Sequence, residues 1–184
     1  MDECNWHKCE NMDCVNGYIK EVWELFRKEK NFKEKEMFSG FDDKGANYSK
    51  IICDKQKDIP LYNYINICNK LEICFIVRKI TEVVNGKRVD SYFVSYKKLD
   101  ENLNFDMVAK SLKIHRVEVY GDKTKWAGCE EIVNAMYICR NGYRKYEKGG
   151  GMYLVMLLNI MNFYGYDDVA EFLRVGNDST PLVA

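Results

Sequence analysis

Net charge is what this sequence most plainly lacks: Lys and Arg number 28, Asp and Glu number 28, and the formal balance at pH 7 is zero. That excludes a surface whose overall field holds nucleic acid or an anionic membrane, so any basic contact must be a local patch. A membrane span is lacking too. The most apolar stretch, Met152 to Phe163, is interrupted by Asn159 and Asn162 and falls short of the roughly 20 residues a spanning helix needs. No segment recurs at a fixed period, which excludes a repeat architecture. Histidine is scarce. Only His7 and His115 are present, so an acid–base site built on histidine in the body of the chain must use His115, and no nucleophile lies near it in sequence. The opening run Met-Asp-Glu-Cys-Asn-Trp-His-Lys has no apolar signal core. An intracellular protein, cytoplasmic or nuclear, is expected, with its eight cysteines as reduced thiols.

What is present is core-forming material. The 184 residues are 47% hydrophobic and 14% aromatic, enough for one domain with a buried core. We expect a Cys/His-rich N-terminal tail over 1–15 and a single α+β domain over 16–184 whose C-terminal subregion, about 126–176, is helical. The abundance of Lys, Asn, Ile and Tyr matches an AT-rich genome, such as that of a large DNA virus or a protist.

The firmest local signal is Asn85-Gly86. Residues 73–84 and 87–99, rich in β-branched and aromatic side chains, flank this dipeptide, which favours a two-residue hairpin turn. Such a loop pairs Val84 with Lys87, hence Val77 with Val94 and Phe75 with Tyr96. One face then carries Ile73, Phe75, Val77, Tyr92, Val94 and Tyr96, while polarity rises toward a tip exposed to water. The expected fold is α+β: a small, mainly antiparallel sheet centred on this hairpin (about 73–99) with helices packed on it.

Around the hairpin, Ile19, Val22, Trp23 and Phe26 define a helical face starting from an N-cap at Asn16. Residues 38–49 read as a loop and Ile51-Ile52-Cys53 as a short strand. Asp58 reads as the cap of a helix with Pro60 in its first turn and Leu61, Tyr64, Ile65 and Cys68 on one face. Phe105, Val108, Ala109 and Leu112 predict a helix, Ile114–Tyr120 a strand, and 126–140 another helix. Residues 140–151 break all periodicity. Helix 152–163 is apolar nearly all round, so it is buried or lies in an interface, and a short amphipathic helix covers 167–174.

Two clusters carry chemistry. Cys4, His7, Cys9 and Cys14 supply four soft or borderline ligands within eleven residues, the number a tetrahedral zinc ion requires; the alternatives are a flexible reduced tail, or Trp6 and its neighbours docked on the domain. Arg140, Tyr143, Arg144, Lys145, Tyr146 and Lys148 interleave cations with aromatics ahead of Gly149-Gly150-Gly151. Such a segment can contact phosphates and stack on bases, and the glycines precede a helix N-terminus that favours an anion. The alternative is a charged, solvated linker. The pairs Asp42-Asp43 and Asp167-Asp168 lack the ligand spacing of a calcium loop, and the second suits a helix start.

The segment Leu99-Asp100…Leu103…Val108-Ala109-Lys110-Ser111-Leu112-Lys113-Ile114…Val117 resembles part of the YbaK-type aminoacyl-tRNA deacylases, as does the order helix, hairpin, helix, strand, helix over about 59–136. The resemblance implies hydrolysis of mischarged tRNA. The family's lysine at the start of the first hairpin strand falls on Ile73 or Cys74, and its Gly/Pro loop has no counterpart, since the only prolines are Pro60 and Pro181. A degenerate relative is what these departures leave. With no catalytic constellation in the sequence, the leading expectation is a non-catalytic interaction domain that binds a protein partner. The alternatives are an RNA- or nucleic-acid-binding protein and a degenerate deacylase-like hydrolase.

Overall fold

The computed structural model describes residues 6–37, 48–53, 58–120 and 140–175. Its organising element is the hairpin of β2 (Ile73–Val84) and β3 (Lys87–Lys98). Asn85 and Gly86 take φ of 53° and 76°, the two positive values of a type I′ turn. That turn fixes the register: Val84 opposes Lys87, Val77 opposes Val94, and Phe75 opposes Tyr96, all as predicted. A third strand, β1 (His7–Cys9), pairs antiparallel with β3 opposite Tyr92–Val94, giving the order β1-β3-β2. The fold is α+β.

Alternation along the strands puts Ile73, Phe75, Val77, Tyr92 and Val94 on one buried face. This face meets α1 (Met12–Glu29) and α3 (Leu61–Leu71). Trp23 and Tyr64 lie with ring centroids 6.3 and 6.2 Å from Phe75, and Phe26 meets Tyr96 edge-on at 5.3 Å. On the other face, Cys74 and Ser95 are buried where α7 (Val169–Arg174) and the residues before it pack. There the Val77 amide donates to the Asp167 carbonyl at 2.7 Å, so residues 167–168 extend the outer edge of β2 at its base.

The first helix starts five residues earlier than predicted. Asn11 is its N-cap, accepting from the Cys14 amide at 2.9 Å, because Met12 and Val15 extend the apolar face by a turn. Asn16 sits inside the helix, buried, with its amide 3.5 Å from Asp58 Oδ1.

Three further expectations fail, each because tertiary burial overrides local propensity. Ile51-Ile52-Cys53 belongs to a helix, α2 (Tyr48–Cys53), anchored by buried Tyr48. Ile114–Tyr120 is no strand but the second half of α4 (Asp106–Tyr120), whose Val108, Ser111, Leu112 and His115 fall at i, i+3, i+4 and i+7 and are all buried. The segment read as structureless contains α5 (Arg140–Glu147), inserted into the core by fully buried Tyr143. The predicted helix over 126–140 and most of the loop over 38–49 lie outside the described residues.

Helix α6 (Leu154–Phe163) settles as core, burying Leu154, Leu157, Leu158, Ile160 and Met161. Asp58 caps this helix, not α3: its Oδ1 accepts from the Val155 amide at 3.4 Å and the Ile59 amide at 2.8 Å. Pro60 occupies the cap position of α3 and needs no partner for the N–H it lacks. Asp168 does start α7, accepting from the amides of Ala170 and Glu171.

Candidate functional site

The N-terminal cluster is the set of predicted ligands that the fold draws together. Strand periodicity places His7 and Cys9 on the same face of β1, and that face looks toward α1. Asn11 fixes the first turn of α1, so Cys14 and Tyr18, one turn apart, line the helix side that faces them. The imidazole of His7 stacks on Tyr18 at 4.3 Å with the planes 4° apart. The ligand atoms of His7, Cys9 and Cys14 all lie within 4.8 Å of one another. Cys9 is fully buried and its thiol is pushed up to about 12, by burial first and then by Cys14. Cys4, the fourth predicted ligand, lies outside the described residues. Trp6 is exposed, with the Arg78 guanidinium 5.0 Å above its ring.

The basic segment is only partly available. Arg144, Lys145 and Lys148 are exposed and line, with Gly149 and Gly150, an open hollow of about 440 Å³. Tyr143 is not offered to a base: its ring is buried and its hydroxyl lies 3.3 Å from the Leu112 carbonyl and 3.0 Å from the Tyr164 hydroxyl. Tyr146 packs half-buried on the core. The side chain of Arg140 lies outside the described set. The glycines close α5: Gly149 at φ 78° donates to Tyr146, and Gly150 donates to the Lys145 carbonyl at 2.8 Å. The helix N-terminus beyond them receives its negative charge from within the chain, at Asp58.

Groups with catalytic chemistry are committed elsewhere. His115 is buried in an aromatic box, 4.5 Å from Phe172, 4.8 Å from Tyr166 and 5.4 Å from Tyr164, and burial pushes its pKa down. Lys97 is ion-paired with Asp168, whose other oxygen caps α7. Burial alone would lower the Lys97 pKa, and the Asp168 carboxylate raises it by more. Cys74, beneath this pair, is fully buried and held as a thiol near 12 by burial, with Asp168 adding to it. The adjoining hollow, lined by Lys97, Leu99, Leu103 and Arg174 among others, holds about 30 Å³, the space of a water molecule or two. The segment resembling the deacylases lacks the strand of that order, since 114–120 is helical.

The exposed arm of the hairpin, beyond Lys79, is a feature that sequence reading noted only as a polar tip. Residues 80–89 are exposed throughout. They include Ile80, Val83, Val84 and Val89, between 37% and 72% accessible. Ile80, Val84 and Val89 share one face by register. Three valines and an isoleucine within ten residues were the available signal.

No helix among the described residues is long and apolar enough to cross a membrane. No family model, curated protein or solved structure matches this chain.

Proposed function

We propose that the chain is a non-catalytic intracellular interaction domain that binds a protein partner along the arm of its hairpin. The arm carries this reading. Four exposed β-branched side chains stand on two strands whose edges, beyond Lys79 in β2 and before Tyr92 in β3, pair with no further strand among the described residues. Open edges with apolar side chains are surfaces to which a partner adds a strand or an apolar face. The five described cysteines are free thiols, which suits a reducing compartment. The burial of His115 and Cys74 supports a role without catalysis. A photo-crosslinking residue placed at Val83 or Val84 in cells is expected to trap a protein adduct, whereas the same residue at exposed Leu25 on α1 does not. Equal labelling from Leu25 would count against the arm.

A second reading, nucleic-acid binding, draws on the three exposed cations around the 440 Å³ hollow. It predicts retention on heparin that weakens with salt and is lost in Arg144→Ala/Lys145→Ala. Unchanged retention in that double variant removes it.

A further inference from the structure

We propose that His7, Cys9 and Cys14 form a zinc site that staples β1 to the start of α1, with a fourth coordination position left to a further ligand. The zinc site is independent of the partner reading, because its three ligands lie on β1 and α1 and none lies on the arm of the hairpin.

The ligand set selects the ion. Two sulfurs and an imidazole nitrogen are soft or borderline donors, unsuited to calcium or magnesium and suited to zinc. Tetrahedral bonds of zinc to sulfur and nitrogen set ligand–ligand separations of about 3.5–3.8 Å. The present separations reach at most 4.8 Å, so closure asks for about 1 Å of side-chain movement. The two outer ligands have that freedom, since His7 is exposed and Cys14 half-buried, while Cys9 is the fixed corner. Binding transfers the two thiol protons to solvent, leaving two thiolates on the ion. Cys14 lies in the first turn of α1, an 18-residue helix. The stacked ring of Tyr18 holds the imidazole in plane from one side.

The site also explains why a three-residue strand lies on the sheet edge. Two of the three residues in β1, His7 and Lys8, are exposed, so burial holds the strand by Cys9 alone. A metal bond between β1 and α1 supplies the closure that so few apolar contacts do not.

The test uses the full chain, stripped with chelator under reducing conditions and titrated with Zn²⁺ and, separately, with Co²⁺. The expected result is one equivalent of zinc, and for cobalt a thiolate charge-transfer band with tetrahedral d–d bands. His7→Ala and Cys14→Ser, at sites that are not fully buried, should each weaken zinc binding by roughly a hundredfold or more, since losing even an outer partner of a ligand costs about 10–100-fold. Cys53→Ser, at an exposed cysteine outside the cluster, should bind as the parent does. Less than stoichiometric zinc in the parent chain overturns the proposal. So does wild-type affinity in both cluster variants, which places the metal elsewhere. A Cys9–Cys14 disulfide found by mass spectrometry in protein isolated with its thiols blocked assigns the pair to redox chemistry and likewise overturns it.

Discussion

The two halves of one hairpin live under opposite conditions. Toward its base both edges are paired, β3 by β1 at Tyr92–Val94 and β2 by residues 167–168 at Ile76 and Val77, and aromatic rings from α1 and α3 close over Phe75 and Tyr96. From five residues beyond Phe75 on the same hairpin, every residue from 80 to 89 meets water. The covalent geometry, ladder and turn are continuous between them. What differs is the neighbourhood, and the difference teaches that the turn sets register for the whole hairpin while only the base is held by burial. The arm's β-branched residues therefore contribute propensity and surface but little stability.

The sharpest way to break this comparison is at the base. Phe75→Ala should cost about 3–5 kcal/mol in denaturant unfolding, as large aromatic truncations in closed cores do. Asp168→Ala should follow at about 2 kcal/mol, because it removes the cap of α7 and leaves half-buried Lys97 without its anion. Gly86→Ala tests the turn alone. No atom obstructs a Cβ there, so the φ of 76° sets the penalty, about 1 kcal/mol. A pH series probes the helices behind the base. The folded pKa of His115 lies below its ordinary 6.5, so the unfolded chain takes the proton first. Its contribution is complete above pH 6.5 and is lost as pH falls through that value toward the folded pKa. The exposed Glu118 carboxylate, 3.5 Å from Nδ1, moderates the shift. Unfolding midpoints compared across this range should fall on acidification in the parent chain and fall less in His115→Gln. Smallest of all, Val83→Asp on the arm should change stability by no more than about 0.5 kcal/mol. A larger loss would show that the arm is buried against something.

The hairpin was legible because its determinants are adjacent in sequence: Asn-Gly requires the turn, the turn sets the register, and alternation sets the faces. The elements that were misread have determinants far apart. In α4, Val117 and Val119 alternate like a strand, and the helical face is visible only when Ser111 and His115 are counted as buried, which depends on Leu173 and Phe172 across the fold. Helix α5 hides in the same way. Gly142 and the run of charges obscure it, and its inward face is Tyr143 with Glu147, whose carboxylate meets Arg116 at 2.6 Å. The cysteine cluster was legible as composition but not as geometry. Only the pairing of β1 with β3 shows that His7 and Cys9 share a face opposite Cys14.

The clasp between residues 59–61 and 152–154 bears on how the chain reaches this fold. Leu61 donates to Met152, Leu154 donates to Ile59, and Asp58 caps the helix that starts at Leu154, 97 positions from its partner Val155. Buried Lys20 lies close enough to Asp58 to stabilise its charge. A core locked by contacts this distant cannot mature until both halves of the chain have collapsed together, since the loop entropy must be spent before the contacts return it. The hairpin, whose strands meet across two residues, can form on its own schedule. The molecule thus joins a local element closed across two residues to a clasp closed across 97.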